Sequence, residues 1–443
     1  MPNPYLPAWE YIPDGEPRVF GDRIYIYGSH DRPNVTKFCD FKMKVWSAPV
    51  DDPGNWVCHG HIFHTRDDRD HVASTSHTSS EVYAPDVVEK DGKYWLFTYI
   101  FNSKGCVSVS DRPEGPFEYV STYDYPEGHS RDNGIFNDPG VLVDDDGRVY
   151  IYCGFMEPYM AELNGDNMIE VLPGTHKIDH ISNKEPFSFF EASSPRKVGD
   201  TYYFIYSPNP GSRLNYATSK SPTGPWTFGG TIVDNGVDYP GGNNHGSIAC
   251  IKGQWYIFYH RMTNSTIMSR RACVERITIL PDGSIPQVEM TSLGFDESLN
   301  PFHPTPAEYA CVLKGACFIT ERNLFERPIT DIRPGAVIGF KYYDFGEDYT
   351  NTSMEIALKC RGLGGKATVR VYADSPGDGL ELGAVAVDSH DGVYRATLPC
   401  LTGRHAIFFV VEHGYSIYEG WDWAVKPMET RPLFELDSFV FMK

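Results

Sequence analysis

The sequence predicts an all-β protein in which a five-bladed β-propeller is followed by a β-sandwich of the jelly-roll type. The first observation is a ten-residue pattern, a turn followed by an alternating aromatic strand, that occurs five times between residues 20 and 260. Its sixth position is aromatic in every copy, at spacings of 70, 55, 53 and 53 residues: Tyr25, Trp95, Tyr150, Tyr203 and Tyr256. A period of about 50 residues with several strands per unit is typical of propeller blades.

Composition and a second repeat support this fold class. Aromatic residues make up 14% of the 443 residues, and the chain has 41 glycines and 33 prolines, which is typical of many short strands joined by tight turns. In several units the aromatic strand is followed by a small-residue strand, a Pro-Gly turn and another aromatic, as in GCVSVSDRPEGPFEYV and LNYATSKSPTGPWTFGG. Two repeats in the same register argue against chance similarity.

A proline-rich stretch, LNPFHPTP, separates two parts of the chain that have different sequence patterns. Proline neither continues a helix nor occupies a central strand, so this stretch is predicted to be a linker. After it come about seven short β-runs with turn signals between them, a pattern that fits a β-sandwich. We therefore predict a propeller over residues 1–298, a linker over 299–308 and a sandwich over 309–443.

Charge and hydropathy exclude several classes of partner. The formal net charge is −20 and there is no run of Lys or Arg, which argues against nucleic acid and anionic membrane. No apolar stretch reaches the roughly 18 residues of a membrane helix. The first residues lack the features of an export signal, so we expect a cytoplasmic protein, or a secreted one if such a signal has been removed. The oligomeric state is not predicted.

An acid or a histidine precedes each aromatic strand by 9 to 12 residues: Asp14, Asp86, Asp138, Glu191 and His245. Equivalent positions in a propeller point at one shared axis, so these groups are expected to converge. Three carboxylates and a histidine at one point could serve either acid–base catalysis or the binding of a cation. Asp-Gly and Asp-Pro are also common turn pairs, and a structural role is favoured for Asp86.

Hydrolysis of a glycoside with inversion would use such a set. One carboxylic acid protonates the leaving oxygen and a second carboxylate activates water, at a separation of roughly 6.5–9.5 Å. A third carboxylate keeps the acid protonated through like-charge repulsion. Glu191 has the longer side chain and is the predicted acid, while Asp14 and Asp138 share the other roles.

Residues 4 to 298 resemble glycoside hydrolase family 43, whose members are five-bladed propellers that invert arabinofuranosides, xylosides or related sugars. The resemblance rests on three motifs in order, IPDGEPRVFGDRIYIYGSHD, NDPGVLVDDDGRVYIY and FFEASSPRKVGDTYYFIYS. It implies that Asp14 is the general base, that Asp138 raises the pKa of the acid, and that Glu191 is the general acid. Two places depart from the usual family pattern. Gly15 stands where a proline usually follows the base, and Ala192 and Ser193 stand where Gly-Pro commonly follows the acid.

The same resemblance implies further site residues. Tyr83 in YAPDV, Phe136 in FNDPG and Arg261 in FYHR are predicted to contact the sugar, and His245 in GNNHGS is predicted to help hold a central calcium or a water. The chemistry itself requires no cofactor, and the expected partner is an oligosaccharide substrate.

The C-terminal part resembles a family 6-type carbohydrate-binding module. Its closing FELDSFVF is similar to that module's last strand, although Glu435 stands where many such modules have asparagine. Candidate platforms for a sugar ring, each of which fits the core equally well, are Tyr342, Tyr343, Trp421 and Trp423.

One motif suggests a metal. The segment CHGHIFH contains Cys58, His59, His61 and His64, but its spacing matches no usual zinc finger and it lacks a second ligand pair. A polar loop beside the mouth of the active site is the favoured interpretation.

Together these observations predict an inverting, exo-acting glycosidase that releases terminal α-L-arabinofuranose or β-D-xylose from plant-derived oligosaccharides. The alternatives are an endo-arabinanase or a galactose-directed enzyme of the same family, and a non-catalytic sugar-binding propeller. The presence of all three acids, Asp14, Asp138 and Glu191, argues against a non-catalytic sugar-binding protein.

Overall fold

The computed structural model describes residues 1–33, 35–100, 105–122, 136–347, 350–414 and 431–443. Regular structure in these ranges consists of β-strands and one short 3-10 helix, Ala307–Tyr309. The prediction of an all-β chain is confirmed. Among the described residues, no helix is both long and apolar enough to cross a lipid bilayer.

The first five sheets follow one another along the chain, and within each sheet the strands are antiparallel neighbours in sequence order. The first two contain β1 (Glu16–Phe20), β2 (Arg23–Tyr27), β3 (Lys42–Pro49) and β4 (Val57–His64), then β5 (Val82–Lys90), β6 (Lys93–Ile100), β7 (Cys106–Ser110) and β8 (Glu118–Thr122). The third contains β9 (Gly140–Val143), β10 (Val149–Cys153), β11 (Tyr159–Leu163) and β12 (Lys177–Ile178). The fourth and fifth contain β13 (Phe189–Val198), β14 (Thr201–Pro208), β15 (Arg213–Ser219) and β16 (Thr227–Asp234), then β17 (Ser247–Ile251), β18 (Gln254–Thr263) and β19 (Thr266–Ile277).

The aromatic repeat marks the same place in every one of these sheets. All five aromatic positions of the repeat lie in the second strand of a sheet, and the glycine before each strand forms the hairpin turn. In the second sheet, for example, Asp91 and Gly92 have φ angles of 53° and 74°. A two-residue hairpin turn of this type needs positive φ at both positions, which explains the Asp-Gly pair.

The first strands of the five sheets contact one another in order, and the fifth contacts the first. Arg18 on β1 forms a bidentate pair with Asp86 on β5, and Asp86 also accepts a hydrogen bond from Val141 on β9. On the other side, Arg196 on β13 pairs with Glu16 on β1 at 2.6 Å. The structural role favoured for Asp86 is thus confirmed, and the starts of the five strands meet in one place.

The N-terminal segment covers the edge of the three-stranded fifth sheet. Tyr5 N donates to the carbonyl of Ala272, and the side chain of Asn3 donates to the carbonyl of Val274 and accepts from its amide. Asn3 is fully buried. These contacts join the start of the chain to the last of the five sheets.

Replacing Asn3 with Ala is expected to lower the free energy of unfolding by about 2–4 kcal/mol, since each buried polar group left without a partner costs about 1–3 kcal/mol. The groups left without a partner are the amide and carbonyl of Val274, whereas the carbonyl of Thr291 keeps its hydrogen bond from Arg261 Nη2. Chemical denaturation followed by tryptophan fluorescence measures the loss. A change below about 0.5 kcal/mol, the usual range for surface substitutions, would contradict the proposed anchoring role.

The remaining strands form two further antiparallel sheets. One contains β20 (Thr305–Pro306), β22 (Phe318–Ile319), β23 (Ile329–Ile332), β25 (Ser353–Gly362), β28 (Gly392–Pro399) and β30 (Phe434–Met442). Its strand order is β22-β23-β30-β25-β28, with β20 beside β30. The other contains β21 (Val312–Lys314), β24 (Val337–Asp344), β26 (Ala367–Ala373), β27 (Leu380–Val387) and β29 (Arg404–His413). Its strand order is β21-β24-β29-β26-β27. Part of the predicted linker therefore belongs to a sheet, as strand β20.

One apolar core runs from the fourth and fifth sheets into these last two. It includes Tyr203 and Ile257 from the earlier sheets and Val312, Phe340 and Phe441 from the later ones. Backbone hydrogen bonds cross the same boundary, from Ser292 N to the carbonyl of Lys341 and from Leu313 N to that of Asp238. The C-terminal part is thus packed against the sheets that precede it.

The candidate sugar platforms of the C-terminal part have other contacts. Tyr343 is fully buried, and Tyr342 hydrogen-bonds Glu289 and lies under the guanidinium of Arg404. Glu435 is paired with Arg322. Trp421 and Trp423 lie outside the described residues.

Candidate active site

The three predicted catalytic acids lie beside strained backbone. Asp14 and Asp138 have φ angles of 56° and 49°, and Ala192, directly after Glu191, has 66°. Residues other than glycine rarely adopt this region, and such strain is concentrated at functional sites. Glu191 also lies between two register shifts in the pairing of β13 with β14, where a bulge redirects a side chain. The acids therefore lie in or just before the first strands of three different sheets, at positions where the regular backbone is broken.

Asp14 is buried and held as a carboxylate. Its Oδ2 accepts a hydrogen bond from Ser29 Oγ at 2.6 Å, and its Oδ1 accepts one from Arg270 Nη1 at 2.8 Å. Burial by itself would raise the pKa of Asp14, but the charges of Arg270 and His245 hold that pKa below its usual value. Asp14 is therefore ionised at neutral pH and able to accept a proton.

His245 connects three carboxylates. Its Nδ1 is 3.7 Å from Asp14 Oδ1 and 3.7 Å from Asp138 Oδ2, so these two oxygens are no more than twice that distance apart. Its Nε2 is 3.8 Å from Glu16 Oε1. Burial opposes protonation of His245, but Glu16, Asp138 and Asp14 raise its pKa to about 9. At neutral pH the group is a buried imidazolium that offsets part of the negative charge around it.

Glu191 is held in the opposite protonation state from Asp14. Burial and the charge of Asp138 raise the pKa of Glu191 to about 8. Burial also raises the pKa of Asp138, against the charge of His245, to about 6. Ala192 N donates to Asp138 Oδ2 at 3.2 Å, which places Asp138 beside the backbone that carries Glu191. Near pH 7 the site thus combines a protonated Glu191 with two ionised aspartates.

Arg261 is predicted to contact the sugar, but it is buried away from Asp14, and the arginine that contacts Asp14 is Arg270. Arg261 is buried in another network, where it donates to Tyr259 Oη and pairs with Glu275 at 3.1 Å. The register explains the difference, since Arg261 is opposite Arg271 and neighbouring residues of a strand face opposite sides. Arg261 therefore shares the side of Arg271, while Arg270 faces Asp14.

Two further residues at this site were not predicted from the sequence. His260 Nδ1 accepts a hydrogen bond from Asp14 N at 3.3 Å, and Ser29 holds the Asp14 carboxylate while accepting from Ala84 N. Burial lowers the pKa of His260 to about 3, so its ring is neutral. The only signal in the sequence is the position of His260 at the end of the repeated aromatic strand.

Of the predicted sugar contacts, Tyr83 lies near the acids. Its ring is 5.5 Å from that of Tyr99, and Tyr99 interacts electrostatically with Asp138 and Glu191. Tyr83 is half-buried, and its contact with the sugar stays a prediction.

Phe136 does not fit a direct sugar contact, and that prediction is corrected. Its side chain has no accessible surface and packs in an apolar cluster with Phe97 and Val141. The ring lies so close to Gly105 that a Cβ there would be 1.8 Å from it. Phe136 is thus a core residue, and it packs close to the start of the segment that leads to Asp138.

His245 is predicted to help hold a central calcium or a water, and this stays a prediction. Both of its ring nitrogens lie within 4 Å of carboxylate oxygens, which are the kind of ligand that Ca²⁺ prefers.

The chain is similar over most of its length to known enzymes. The family model described as "Glycosyl hydrolases family 43" matches residues 17–285. A xylosidase/arabinosidase from Thermoclostridium stercorarium is 38% identical over 468 aligned positions, which cover 92% of this chain and 95% of the relative.

Solved structures show the same fold. A family 43 arabinoxylan arabinofuranohydrolase from Bacillus subtilis, in complex with cellotetraose, covers 100% of this chain and 97% of its own at 23% identity, with a TM-score of 0.55. A family 43 β-xylosidase/α-arabinofuranosidase from a compost microbial metagenome, in complex with xylotriose, is 25% identical with a TM-score of 0.53. That alignment covers 65% of this chain and 98% of the other.

Proposed function

This chain belongs to family 43 of the glycosyl hydrolases and is a glycosidase, and from that premise we propose that it releases single terminal pentoses, α-L-arabinofuranose or β-D-xylose, from oligosaccharides of plant origin. Hydrolysis proceeds with inversion at the anomeric carbon. The names of the relatives support the sugar class, and the xylotriose bound by one solved structure supports an oligosaccharide substrate.

The observation that carries the proposal is the difference in protonation between Asp14 and Glu191. The pKa of Asp14 is held below its usual value, while that of Glu191 is raised to about 8. Pairs of carboxyl groups whose pKa values are driven apart in this way indicate the base and the acid of a reaction. A non-catalytic sugar-binding protein has no use for this difference.

In the proposed reaction, Asp14 accepts a proton from a water molecule as that water attacks the anomeric carbon. Hydrogen bonds from Ser29 and Arg270 fix the carboxylate, so that little reorganisation is needed when the proton arrives. Glu191 gives its proton to the glycosidic oxygen as the bond to the leaving group breaks. The products are the free pentose of inverted configuration and the shortened oligosaccharide.

Asp138 and His245 support the two reacting groups. The negative charge of Asp138 keeps Glu191 protonated, and the hydrogen bond from Ala192 N ties Asp138 to the strand of the acid. The imidazolium of His245 lies at equal distances from Asp14 and Asp138, which lowers the repulsion between them. Asp138 and His245 are positioning residues in this scheme.

We also propose that the first five sheets are the blades of a propeller over residues 1–298 and that the last two form a sandwich over 309–443. The order of contacts among the first strands supports this, as does the N-terminal segment on the fifth sheet. The apolar core shared with the C-terminal part favours a packing role for that part over independent sugar binding.

A panel of p-nitrophenyl α-L-arabinofuranoside, β-D-xyloside and β-D-galactoside tests the substrate class. We expect cleavage of the arabinofuranoside, the xyloside or both, and NMR of the first-formed sugar should show the inverted anomer. Preference for the galactoside would support the galactose-directed alternative, and activity on linear arabinan alone would support an endo-arabinanase. No cleavage of any substrate would contradict the proposal.

The pH profile tests the role of Asp138. In the wild type, kcat/KM should fall on the alkaline side with an apparent pKa of about 8, as Glu191 loses its proton. Asp138→Asn removes a negative charge that raises the pKa of Glu191, so the alkaline limb should move to lower pH. The asparagine oxygen can still accept the hydrogen bond from Ala192 N, which preserves the geometry. An alkaline limb that stays in place in the variant would refute this role.

A further inference from the structure

Three histidines and an aspartate outside the active site are brought together at the end of β4. His61, His64, Asp68 and His71 each offer a ligand atom, and these atoms all lie within 4.8 Å of one another. The three rings are in mutual contact, with centroids 4.6 to 5.0 Å apart. His61 and His64 belong to the segment whose missing second ligand pair argued against zinc, and the following loop supplies that pair.

The local fold explains why two histidines three positions apart share a face. In a regular strand they would face opposite sides. Here Lys42 pairs with His64 and Lys44 pairs with His61, so β4 carries one more residue than β3 between these pairs. Lys42 and Lys44 are two positions apart and share a face of β3, so their partners share a face as well. The bulge therefore aligns His61 with His64.

The loop after β4 is built to return His71 to this face. Asp68 N donates to the carbonyl of His71 at 2.9 Å, and His71 N donates to Asp68 Oδ1 at 2.8 Å. Ser74 is bonded in both directions to the backbone of His64. These hydrogen bonds within the loop hold its turn in place. The positions of the four ligand residues are therefore set by the backbone as well as by their side chains.

From this geometry we propose that His61, His64, His71 and Asp68 bind one Zn²⁺ ion. Imidazole and carboxylate are both ordinary zinc ligands, and four such ligands make a closed structural site. Ligands at about 2.0–2.1 Å from zinc in a tetrahedron are about 3.4 Å apart, so ligand atoms that lie within 4.8 Å of one another need to close in by at most about 1.4 Å. Asp68 Oδ1 already lies 3.0 Å from His71 Nδ1, so this oxygen and this nitrogen are close to the separation of two ligands of one zinc ion.

The bound ion would fasten the end of β4 to the loop that follows. Residues 65–81 connect β4 with β5, whose second residue is Tyr83 beside the acids. The site thus has a structural role in the loop that leads to Tyr83 and takes no part in the hydrolysis. Two nearby charges oppose it. Lys42 Nζ is 3.5 Å from Asp68 Oδ2, and Lys44 acts electrostatically on His61, although Lys44 is itself paired with Glu10.

Metal titration of tag-free, EDTA-treated protein tests the proposal. We expect one equivalent of Zn²⁺ to bind in competition with a chromophoric chelator, and Co²⁺ to give the intense visible bands of a four-coordinate site. Loss of an outer partner alone weakens a metal site by about 10–100-fold, so H61A/H71A should weaken binding by more than about 100-fold. Lys42→Ala should strengthen it, because a positive charge next to the ion is removed.

Matched controls separate this cluster from other thiols and imidazoles. Cys58→Ser on the same strand and His77→Ala on the same loop should leave the affinity unchanged. Zn²⁺ should also raise the Tm of the wild type and protect residues 65–81 from proteolysis, with neither effect in H61A/H71A. Equal affinity of the wild type and H61A/H71A would overturn the proposal, and so would a wild type that binds no Zn²⁺.

Discussion

Glu191→Gln is expected to lower kcat for unactivated arabinosides or xylosides by about 10²–10⁴-fold, the usual contribution of a general acid. The amide has the shape of the protonated carboxyl group but no proton to give to the leaving oxygen. Substrate binding should persist, because Glu191 contributes through proton transfer. Steady-state kinetics on a xylo- or arabino-oligosaccharide, with isothermal titration calorimetry for binding, measure both quantities.

The leaving group provides an internal control for this variant. A 2,4-dinitrophenyl glycoside departs without help from an acid, so Glu191→Gln should retain far more of the wild-type rate on it. Glu185→Gln, on the exposed segment that leads into β13, should behave as the wild type on both substrates. An equal loss on both substrates would show that Glu191 does not act as the acid.

Asp14→Gly is expected to lower kcat by a similar factor of about 10²–10⁴, whatever the leaving group. The φ angle of 56° at this position suits glycine, so the substitution relieves backbone strain and removes the base. Arg270 keeps its bonds to Asp31, which limits the structural damage. Kinetics on activated and unactivated substrates, together with the Tm, separate loss of function from loss of fold.

Azide adds a positive test for the role of Asp14. The space left by the side chain admits this small anion, which attacks the anomeric carbon without needing a base. We expect added sodium azide to restore part of the rate and to give a glycosyl azide of inverted configuration. Asp22→Asn, an exposed acid of the same sheet, should change neither kcat nor Tm. Failure of azide to change rate or product would count against Asp14 as the base.

The positions of the acids were predictable from the sequence because they follow from the repeat. Five copies of one aromatic strand imply five equivalent sheets, and the residue at a fixed distance before each copy then faces a common point. The side chains of Asp14, Asp138 and His245 do meet there. The same argument identified Asp86, which the structure shows to be an ion-pair partner of Arg18.

Contacts that depend on register were less predictable. Arg261 and Arg270 lie on paired strands, and only the pairing shows which of the two faces Asp14. Residue spacing alone does not predict the histidine cluster, because a bulge in β4 changes which residues share a face and because Asp68 and His71 reach the cluster through a turn stabilised by their own hydrogen bonds. Neither feature has a regular period that a sequence would reveal.

A single apolar cluster spans the fourth and fifth sheets and the C-terminal part, which limits how the chain can be divided or recombined. Binding modules that are exchanged between enzymes need a surface of their own, whereas here residues such as Tyr203 and Phe441 belong to one buried cluster. Cutting the chain between the two parts would expose that cluster to water on both pieces. The two parts are therefore expected to have been inherited together and to melt as one cooperative unit, which makes the C-terminal part a poor candidate for shuffling.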